Sequence, residues 1–325
     1  MKLAFAISGT VVMAMSAMSV PNTLRGLDEN MEKIAIDKPG PPPFDPAELE
    51  EDKDFLVKPE DDASKTDEDH RALAVPRTQI VSNDDPGGYD YSYFSSSFTR
   101  IPGLSGFYFD FQSPPRPLKR MRVKSYTSQV HVAYYDYNLD DDFYWKVRAT
   151  ELPLGTSYHS TSGSSAYGCY TSSDLMSAYG KVPVLTGFDL EFNGLSTSNR
   201  PLDQVQVKLF KNGPKVRLTV CFSDSNDDDR FRYTVNYALV NELNVLYHGY
   251  STGLQTDTGG SASQHCYSNY GMVLSGFDLR FKYATRNIDR IGIMMDGSTC
   301  TAYFDDDNDD DPYEWNVSYH LVTSI

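Results

Sequence analysis

The sequence has few basic residues, and it lacks the glycine-rich motifs with which many enzymes bind phosphates or nucleotides. Lysine and arginine number 29 against 45 aspartates and glutamates, which gives a formal net charge of −16. Nucleic acids and anionic membranes attract proteins through clustered basic residues, so an acidic chain is poorly suited to either. We therefore expect no nucleic-acid partner.

Signals for catalysis are equally scarce. The chain has no phosphate-binding loop and no dinucleotide fingerprint, and none of its six histidines shows the spacing of a zinc site. Carboxylate pairs for glycoside hydrolysis are defined by their separation in space, so the sequence leaves that chemistry open. The prediction is a protein that is not an enzyme and has no catalytic residues.

Long apolar runs are absent except at the start, where Leu3–Val20 follows Met1 and Lys2. A short apolar run behind a basic residue, with small residues near its end, predicts a secretory signal peptide over residues 1–20. No later stretch reaches the roughly 18 apolar residues that span a bilayer. We expect a secreted, extracellular protein without a membrane span.

Residues 21–86 form an acidic, proline-containing segment that holds most of the excess negative charge. Few aromatic residues occur there, so the segment has little apolar surface with which to offset the entropy lost on folding. We predict a disordered linker or pro-segment over these residues.

Three acidic stretches share one pattern, Asp-x-Asn-x-Asp-Asp-x-aromatic-x-aromatic-x-Val. They lie at 134–147, 222–235 and 304–317. Their spacing of about 80–90 residues indicates a tandem array. The predicted repeats are 87–150, 151–240 and 241–325.

Each repeat also contains runs in which every second residue is apolar, as in Phe107, Phe109 and Phe111. This period predicts half-buried strands, and no stretch shows a convincing helical period. We predict an all-β fold, a tandem array of three antiparallel β-sandwich-like repeats preceded by the signal peptide and the acidic segment. Cys169 and Cys221 fall in the second repeat and Cys266 and Cys300 in the third, which favours bridges 169–221 and 266–300 among three possible connectivities.

The acidic stretches have two interpretations. Oxygen ligands at alternate positions are how calcium loops begin, and adjacent carboxylates repel one another unless a cation lies between them. Aspartate and asparagine are equally common in plain turns, where they bond to their own backbone. The predicted Ca²⁺ ligands are Asp136, Asn138, Asp140, Asp141, Asp224, Asn226, Asp228, Asp229, Asp306, Asn308, Asp310 and Asp311.

Tyrosine, serine and histidine concentrate in the connectors between the predicted strands. Tyr158-His159 and Tyr247-His248 occupy similar connectors of two repeats, which makes these four residues candidate ligand contacts. The leading prediction is a secreted, multivalent adhesion protein that binds an extracellular glycan or protein, with Ca²⁺ stabilising its hairpin loops. The alternatives are an extracellular matrix protein that binds mineral or cations and, third, a secreted effector or hydrolase.

Overall fold

Alternating apolar residues become the buried sides of strands throughout the folded part of the chain. The computed structural model describes residues 75–85, 88–111, 118–135, 142–193, 201–224, 230–255, 261–266, 271–281, 287–306 and 312–324. Within these ranges the only helical element is a short 3-10 helix, Glu242–Asn244. The predicted signal peptide and most of the predicted acidic linker lie outside the described residues.

The strands fall into three consecutive segments of the chain. The first segment holds β1 (Thr78–Asp85), β2 (Tyr89–Tyr93), β3 (Pro102–Phe111), β4 (Arg120–Ser125), β5 (Gln129–Tyr135) and β6 (Phe143–Glu151). The second holds β7 (Ser157–Ser165), β8 (Cys169–Thr171), β9 (Met176–Ser177), β10 (Lys181–Phe192), β11 (Leu202–Asn212), β12 (Lys215–Asp224) and β13 (Phe231–Asn241). The third holds β14 (Val245–Gln255), β15 (Ser261–His265), β16 (Gly271–Phe281), β17 (Ile288–Asp296), β18 (Thr299–Asp306) and β19 (Tyr313–Val322).

Three antiparallel sheets contain all of these strands, which confirms the predicted all-β class. Sheet A has the order β1-β6-β3-β17-β18-β15, and sheet B has the order β2-β5-β4-β10-β13-β7. Sheet C has the order β14-β19-β16-β11-β12-β8, and β9 pairs with β12 beside β8. Every sheet therefore combines strands from two of the three segments.

The sheets share a large hydrophobic core beside a second, smaller cluster, and the centre of the large core is built from equivalent residues. Phe107 of β3, Phe188 of β10 and Phe277 of β16 are buried, with ring centroids 4.9–5.3 Å apart. Each ring follows a glycine in a strand that pairs with a strand of another segment. The three Gly-Phe dipeptides thus lie where the three segments meet.

A glycine is required at these junctions because the neighbouring backbone passes very close. A Cβ atom added to Gly187 would lie 2.5 Å from the carbonyl oxygen of Val123 on the adjacent strand, which is too short for any real contact. The register of β10 against β13 shifts at the same point, between Leu185 and Gly187. The bulge and the missing side chain let strands of two segments meet.

Stacked aromatic rings connect the two groups of strands that each segment contributes. In each pair one ring is the first residue of an acidic stretch. The centroid distances are 4.2 Å for Phe111 and Tyr134, 4.3 Å for Phe192 and Phe222, and 4.1 Å for Phe281 and Phe304. The two aromatic residues at the end of each repeated pattern are buried as well, so both ends of the acidic stretches are fixed in the core.

The first strand begins earlier than the sequence predicts. β1 lies inside the segment 21–86, for which we predicted disorder, and it pairs with β6 along its whole length. Its Val81 is buried against the core, and backbone pairing with β6 on one side holds the rest of this polar edge strand. None of the helices among the described residues is long and apolar enough to cross a membrane.

Candidate functional site

The predicted calcium ligands lie mostly beyond what the structure describes. Asp224 and Asp306 are described, at the ends of β12 and β18, and their side chains are buried. The other ten predicted ligands, Asp136, Asn138, Asp140, Asp141, Asn226, Asp228, Asp229, Asn308, Asp310 and Asp311, lie outside the described residues. Within the described part, no three His, Cys, Asp or Glu side chains gather as metal ligands. The calcium site stays a prediction.

One acidic residue of the third stretch already has a cationic partner inside the protein. Asp305 is fully buried, and its carboxylate lies 2.9 Å from Nε of Arg290 on the neighbouring strand. An internal arginine thus offsets part of the carboxylate repulsion from which we inferred a bound cation. Carboxylate repulsion is therefore a weaker argument for a bound cation in the third stretch than the sequence alone suggested.

The four candidate ligand residues of the connectors belong to edge strands instead. Tyr158 and His159 lie in β7 at one edge of sheet B, and Tyr247 and His248 lie in β14 at one edge of sheet C. They do not form one site.

The two histidines of these edge strands also differ in their surroundings. His159 is opposite Tyr237 and stacks on its ring at 5.4 Å, whereas His248 is opposite His320. The similarity of the two dipeptides in sequence therefore does not extend to their register. Burial lowers the pKa of His248, and burial with the neighbouring His248 lowers the pKa of His320 to about 3.

Both predicted disulfides are present. Cys169 bonds to Cys221 across the β8–β12 pair, and Cys266 bonds to Cys300. Each bridge joins cysteines of one segment and closes a loop, so it restricts the unfolded chain and stabilises the fold.

A sequence motif of hydrolases occurs in the third segment without its structural context. Residues 249–253 read Gly-Tyr-Ser-Thr-Gly, which matches the Gly-x-Ser-x-Gly pattern of a nucleophile elbow. The elbow requires a sharp turn between a strand and a helix that exposes the serine. Ser251 instead lies in the middle of β14, opposite Val317, and is buried. We therefore assign it no catalytic role.

The outer faces of the three sheets can be compared residue by residue. In each sheet the residue after the central phenylalanine points outward and has a partner on a strand of another segment. This central pair is Tyr108 and Gly292 in sheet A, Asp189 and Arg122 in sheet B, and Asp278 and Gln206 in sheet C. Positions that the fold makes equivalent therefore carry different chemistry.

In sheet B the centre is filled by ion pairs. Arg120 bonds to both carboxylate oxygens of Asp189, at 2.8 and 2.6 Å, and Arg122 lies 4.0 Å from the same carboxylate. Arg232 lies 3.1 Å from Glu191 on the next row. These charged groups neutralise one another at the centre of the outer face.

In sheet C the centre is filled by hydrogen bonds. Asp278 accepts one bond from Nε2 of Gln204 at 2.8 Å and one from Nε2 of Gln206 at 3.1 Å. Burial raises the pKa of Asp278, and the bond from Gln204 opposes that rise. The two glutamines thus donate hydrogen bonds to a carboxylate that is partly shielded from solvent by the sheet.

In sheet A the equivalent residue is Gly292, where an added Cβ atom would lie 2.4 Å from the carbonyl oxygen of Phe107, so the close backbone requires a glycine. The residues opposite Gly292 on the two sides are Tyr108 and Tyr303. A hollow lined by both of these tyrosines, which we call the tyrosine hollow, has a volume of about 270 Å³. Its lining residues are Tyr108, Asp110, Tyr144, Lys146, Met294 and Tyr303.

The rings of the tyrosine hollow stand at steep angles to one another. The ring of Tyr108 meets that of Tyr303 edge to face, with centroids 4.7 Å apart, and lies 6.1 Å from that of Tyr144. The ammonium of Lys146 lies 5.9 Å from the centroid of the Tyr144 ring. Aromatic surface, a cation and phenolic hydroxyls therefore converge on one hollow.

Its polar groups are partly organised before any ligand binds. The hydroxyl of Tyr108 donates a hydrogen bond of 2.7 Å to Oδ2 of Asp110. Burial raises the pKa of Tyr108 and of Tyr303, and the bond to Asp110 raises that of Tyr108 further. Both phenols are thus protonated at neutral pH, and they can donate and accept hydrogen bonds.

Sequence reasoning missed this hollow because its walls come from two segments. Tyr108, Asp110, Tyr144 and Lys146 belong to the first segment, and Met294 and Tyr303 belong to the third. Gly292 stands where the other two segments have Arg122 and Gln206, but the close carbonyl oxygen of Phe107 already requires this glycine, so it is no signal for a ligand. No known family model matches the sequence, and no curated protein is similar to it at a significant level.

Proposed function

We propose that the protein is a secreted, non-enzymatic binding protein that recognises a neutral carbohydrate in the tyrosine hollow of sheet A. The observation that carries this proposal is the difference between equivalent positions. At the centres of sheets B and C the polar side chains bond to one another, whereas beside the centre of sheet A a hollow of about 270 Å³ is lined by Tyr108, Tyr144 and Tyr303.

The chemistry of the lining favours a ligand with many hydroxyl groups. Tyrosine rings offer a flat apolar surface for the C–H side of a sugar ring and a polar tip for its hydroxyls. Asp110 and Lys146 supply one charge of each sign, so the lining favours no net charge on the ligand. Donors and acceptors are both within the hollow, as a sugar requires.

The size of the hollow favours one sugar unit. Its volume of about 270 Å³ lies just below the roughly 300–1,000 Å³ of sites for drug-sized ligands. About twelve non-hydrogen atoms at roughly −0.3 kcal/mol each give about −4 kcal/mol, which corresponds to a Kd of about 1 mM. A single weak site of this kind serves adhesion when several copies act together.

Hydrolysis is a poorer explanation of the same residues. Glycosidases use two carboxylates on opposite sides of the scissile bond, whereas Asp110 is the only acidic residue that lines the hollow in the described part of the chain. Its carboxylate also already accepts a bond from Tyr108. These features support binding without turnover.

The proposal also includes the location of the protein and the relation among its three segments. Two disulfides support an oxidising, extracellular location. We propose that the three segments are repeats of one β-sandwich-like unit whose strands are shared between sheets, because each contributes strands in the same order. Multivalent binding through the repeats and calcium in the acidic loops stay predictions.

Calorimetry with a panel of neutral mono- and disaccharides tests the proposed function. At least one sugar should bind the full chain, and Tyr303→Ala should weaken that binding about tenfold or more, since it removes one wall of the hollow. Tyr179→Ala is the matched control, because Tyr179 is 87 % exposed and lies outside the hollow. The proposal fails if no sugar binds, or if the two variants lose the same affinity.

A further inference from the structure

Two histidines face each other across neighbouring strands at the edge of sheet C. His248 of β14 is directly opposite His320 of β19, and the two Nδ1 atoms are 2.9 Å apart. The rings are nearly perpendicular, with centroids separated by 4.7 Å. The tyrosine hollow lies in sheet A and uses neither residue.

This arrangement resembles one half of a transition-metal site. Imidazole nitrogen is the commonest metal ligand in proteins, and Zn–N bonds measure about 2.0–2.1 Å. Two such bonds at a tetrahedral angle place the nitrogen atoms about 3.3 Å apart. The observed 2.9 Å is a hydrogen bond and is only a few tenths of an ångström shorter. An ion would take the place of the shared proton, which moves to the other nitrogen of the donor ring, while small rotations separate the two rings.

The ring of His320 is also oriented by a partner on its other side. It forms a hydrogen bond with the backbone of Pro183 in β10, and proline has no N–H, so its carbonyl oxygen must be the acceptor. Nδ1 of His320 points at His248, which assigns Nε2 as the donor to Pro183. An imidazole whose far N–H binds a carbonyl presents its other nitrogen lone pair, which is the usual outer-shell arrangement of a metal-binding histidine.

We propose that His248 and His320 form a two-histidine site for a divalent transition-metal ion, with water in the remaining positions. Among the described residues no third His, Cys, Asp or Glu completes a cluster, so the site resembles an exchangeable surface site and not a structural zinc centre. Nitrogen ligands favour Cu²⁺ and Zn²⁺ over Ca²⁺, which prefers oxygen. The site is therefore chemically distinct from the predicted calcium loops.

Titration of the tag-free full chain with CuCl₂, NiCl₂ and ZnCl₂ tests the proposal, after treatment with a chelator and with millimolar Ca²⁺ present to occupy oxygen-rich sites. One equivalent of ion should bind, most tightly for Cu²⁺, as the order of stability of such complexes requires. His248→Ala should weaken binding about tenfold or more, since a bound ion then loses one arm of a chelate.

Two further variants separate this site from non-specific binding. His320→Gln should lose as much affinity as His248→Ala, and His265→Ala, which removes an exposed histidine of another sheet, should lose none. The electron paramagnetic resonance spectrum of the Cu²⁺-loaded chain should show coupling to two nitrogen nuclei. Since His248 is exposed, its variant tests the site even if His320→Gln does not fold. Equal affinities of His248→Ala, His265→Ala and the unchanged chain would overturn the proposal.

Discussion

The outer faces of sheets A and B occupy equivalent strand positions and have opposite properties. In sheet B the central pair, Asp189 and Arg122, is part of an ion-pair cluster with Arg120. In sheet A the same positions hold Tyr108 and Gly292, and a hollow lies between two tyrosines. The comparison indicates that strands in equivalent positions carry different outer side chains over a shared core, which is the difference on which the proposed binding site rests.

The largest expected effects concern the core that both faces share. Phe107→Ala, Phe188→Ala and Phe277→Ala should each destabilise the protein by about 3–5 kcal/mol, because each removes a buried ring from the point where the segments meet. Chemical denaturation monitored by tryptophan fluorescence measures the three losses. If one of the three variants lost less than about 1 kcal/mol, the centre would not be equivalent in the three sheets.

A smaller effect should separate the two central positions. Asp189→Ala should cost about 1–3 kcal/mol of stability, because Arg120 and Arg122 lose their carboxylate partner in a partly buried site. Tyr108→Phe, at the equivalent position of sheet A, should cost less than about 1 kcal/mol, because it removes one half-exposed hydroxyl. Thermal melts of both variants measure this difference, and equal losses would remove the distinction between a structural and a binding face.

Sugar affinity should depend on sheet A more than on sheet B, the reverse of the order expected for stability. Asp110→Asn keeps an acceptor for the Tyr108 hydroxyl but loses the charge, so we expect sugar affinity to fall by about 0.5–1.5 kcal/mol with little change in stability. Glu191→Gln, at the equivalent position of sheet B, is the control. Calorimetry with the sugar that binds best should show the loss for Asp110→Asn alone, and a loss for Glu191→Gln would extend the site beyond sheet A.

The smallest effect concerns the cationic character of sheet B. Burial lowers the pKa of His131, and the nearby Arg122 and Lys124 lower it further, while the rings of Tyr91 and Tyr126 pack beside it. The unfolded chain then binds more protons than the folded one, so stability should fall as pH drops below about 6.5, the pKa of the unfolded residue.

An NMR titration of the His131 ring measures this pKa directly. Its midpoint should lie below about 6.5 and should rise in Lys124→Gln, which removes one of the two nearby cations. An unchanged midpoint in Lys124→Gln would show that the cations of sheet B do not act on this ring.

The sequence predicted the inner side of the fold better than its outer side. Period-two alternation located β3, β10 and β16 through residues such as Phe107, because the core imposes that period on every inward position. The same period does not identify edge strands such as β7, because most of their side chains contact solvent. In β7, serine, tyrosine and glycine therefore occur without an apolar period. The cysteine pairing was correct because each pair lies within one segment.

The site could not be predicted because it depends on pairing between segments. β3 of the first segment lies beside β17 of the third. The repeat period in the sequence does not indicate which segments pair with each other. Only after the register is known do Tyr108 and Tyr303 appear side by side on the strands that flank β17. Residues that repeat in the sequence mark the core, whereas the candidate site lies where the repeats differ.

Chemical-shift mapping with the best-binding neutral sugar tests the central claim most directly. We expect the amide signals of Tyr108, Lys146 and Tyr303 in sheet A to shift in proportion to bound sugar. The equivalent residues of sheet B, Asp189, Thr234 and Ala133, should stay unchanged. Shifts in sheet B of the same size, or no shifts in sheet A at sugar concentrations of about 10 mM, an order of magnitude above the expected Kd, would contradict a carbohydrate site in the tyrosine hollow.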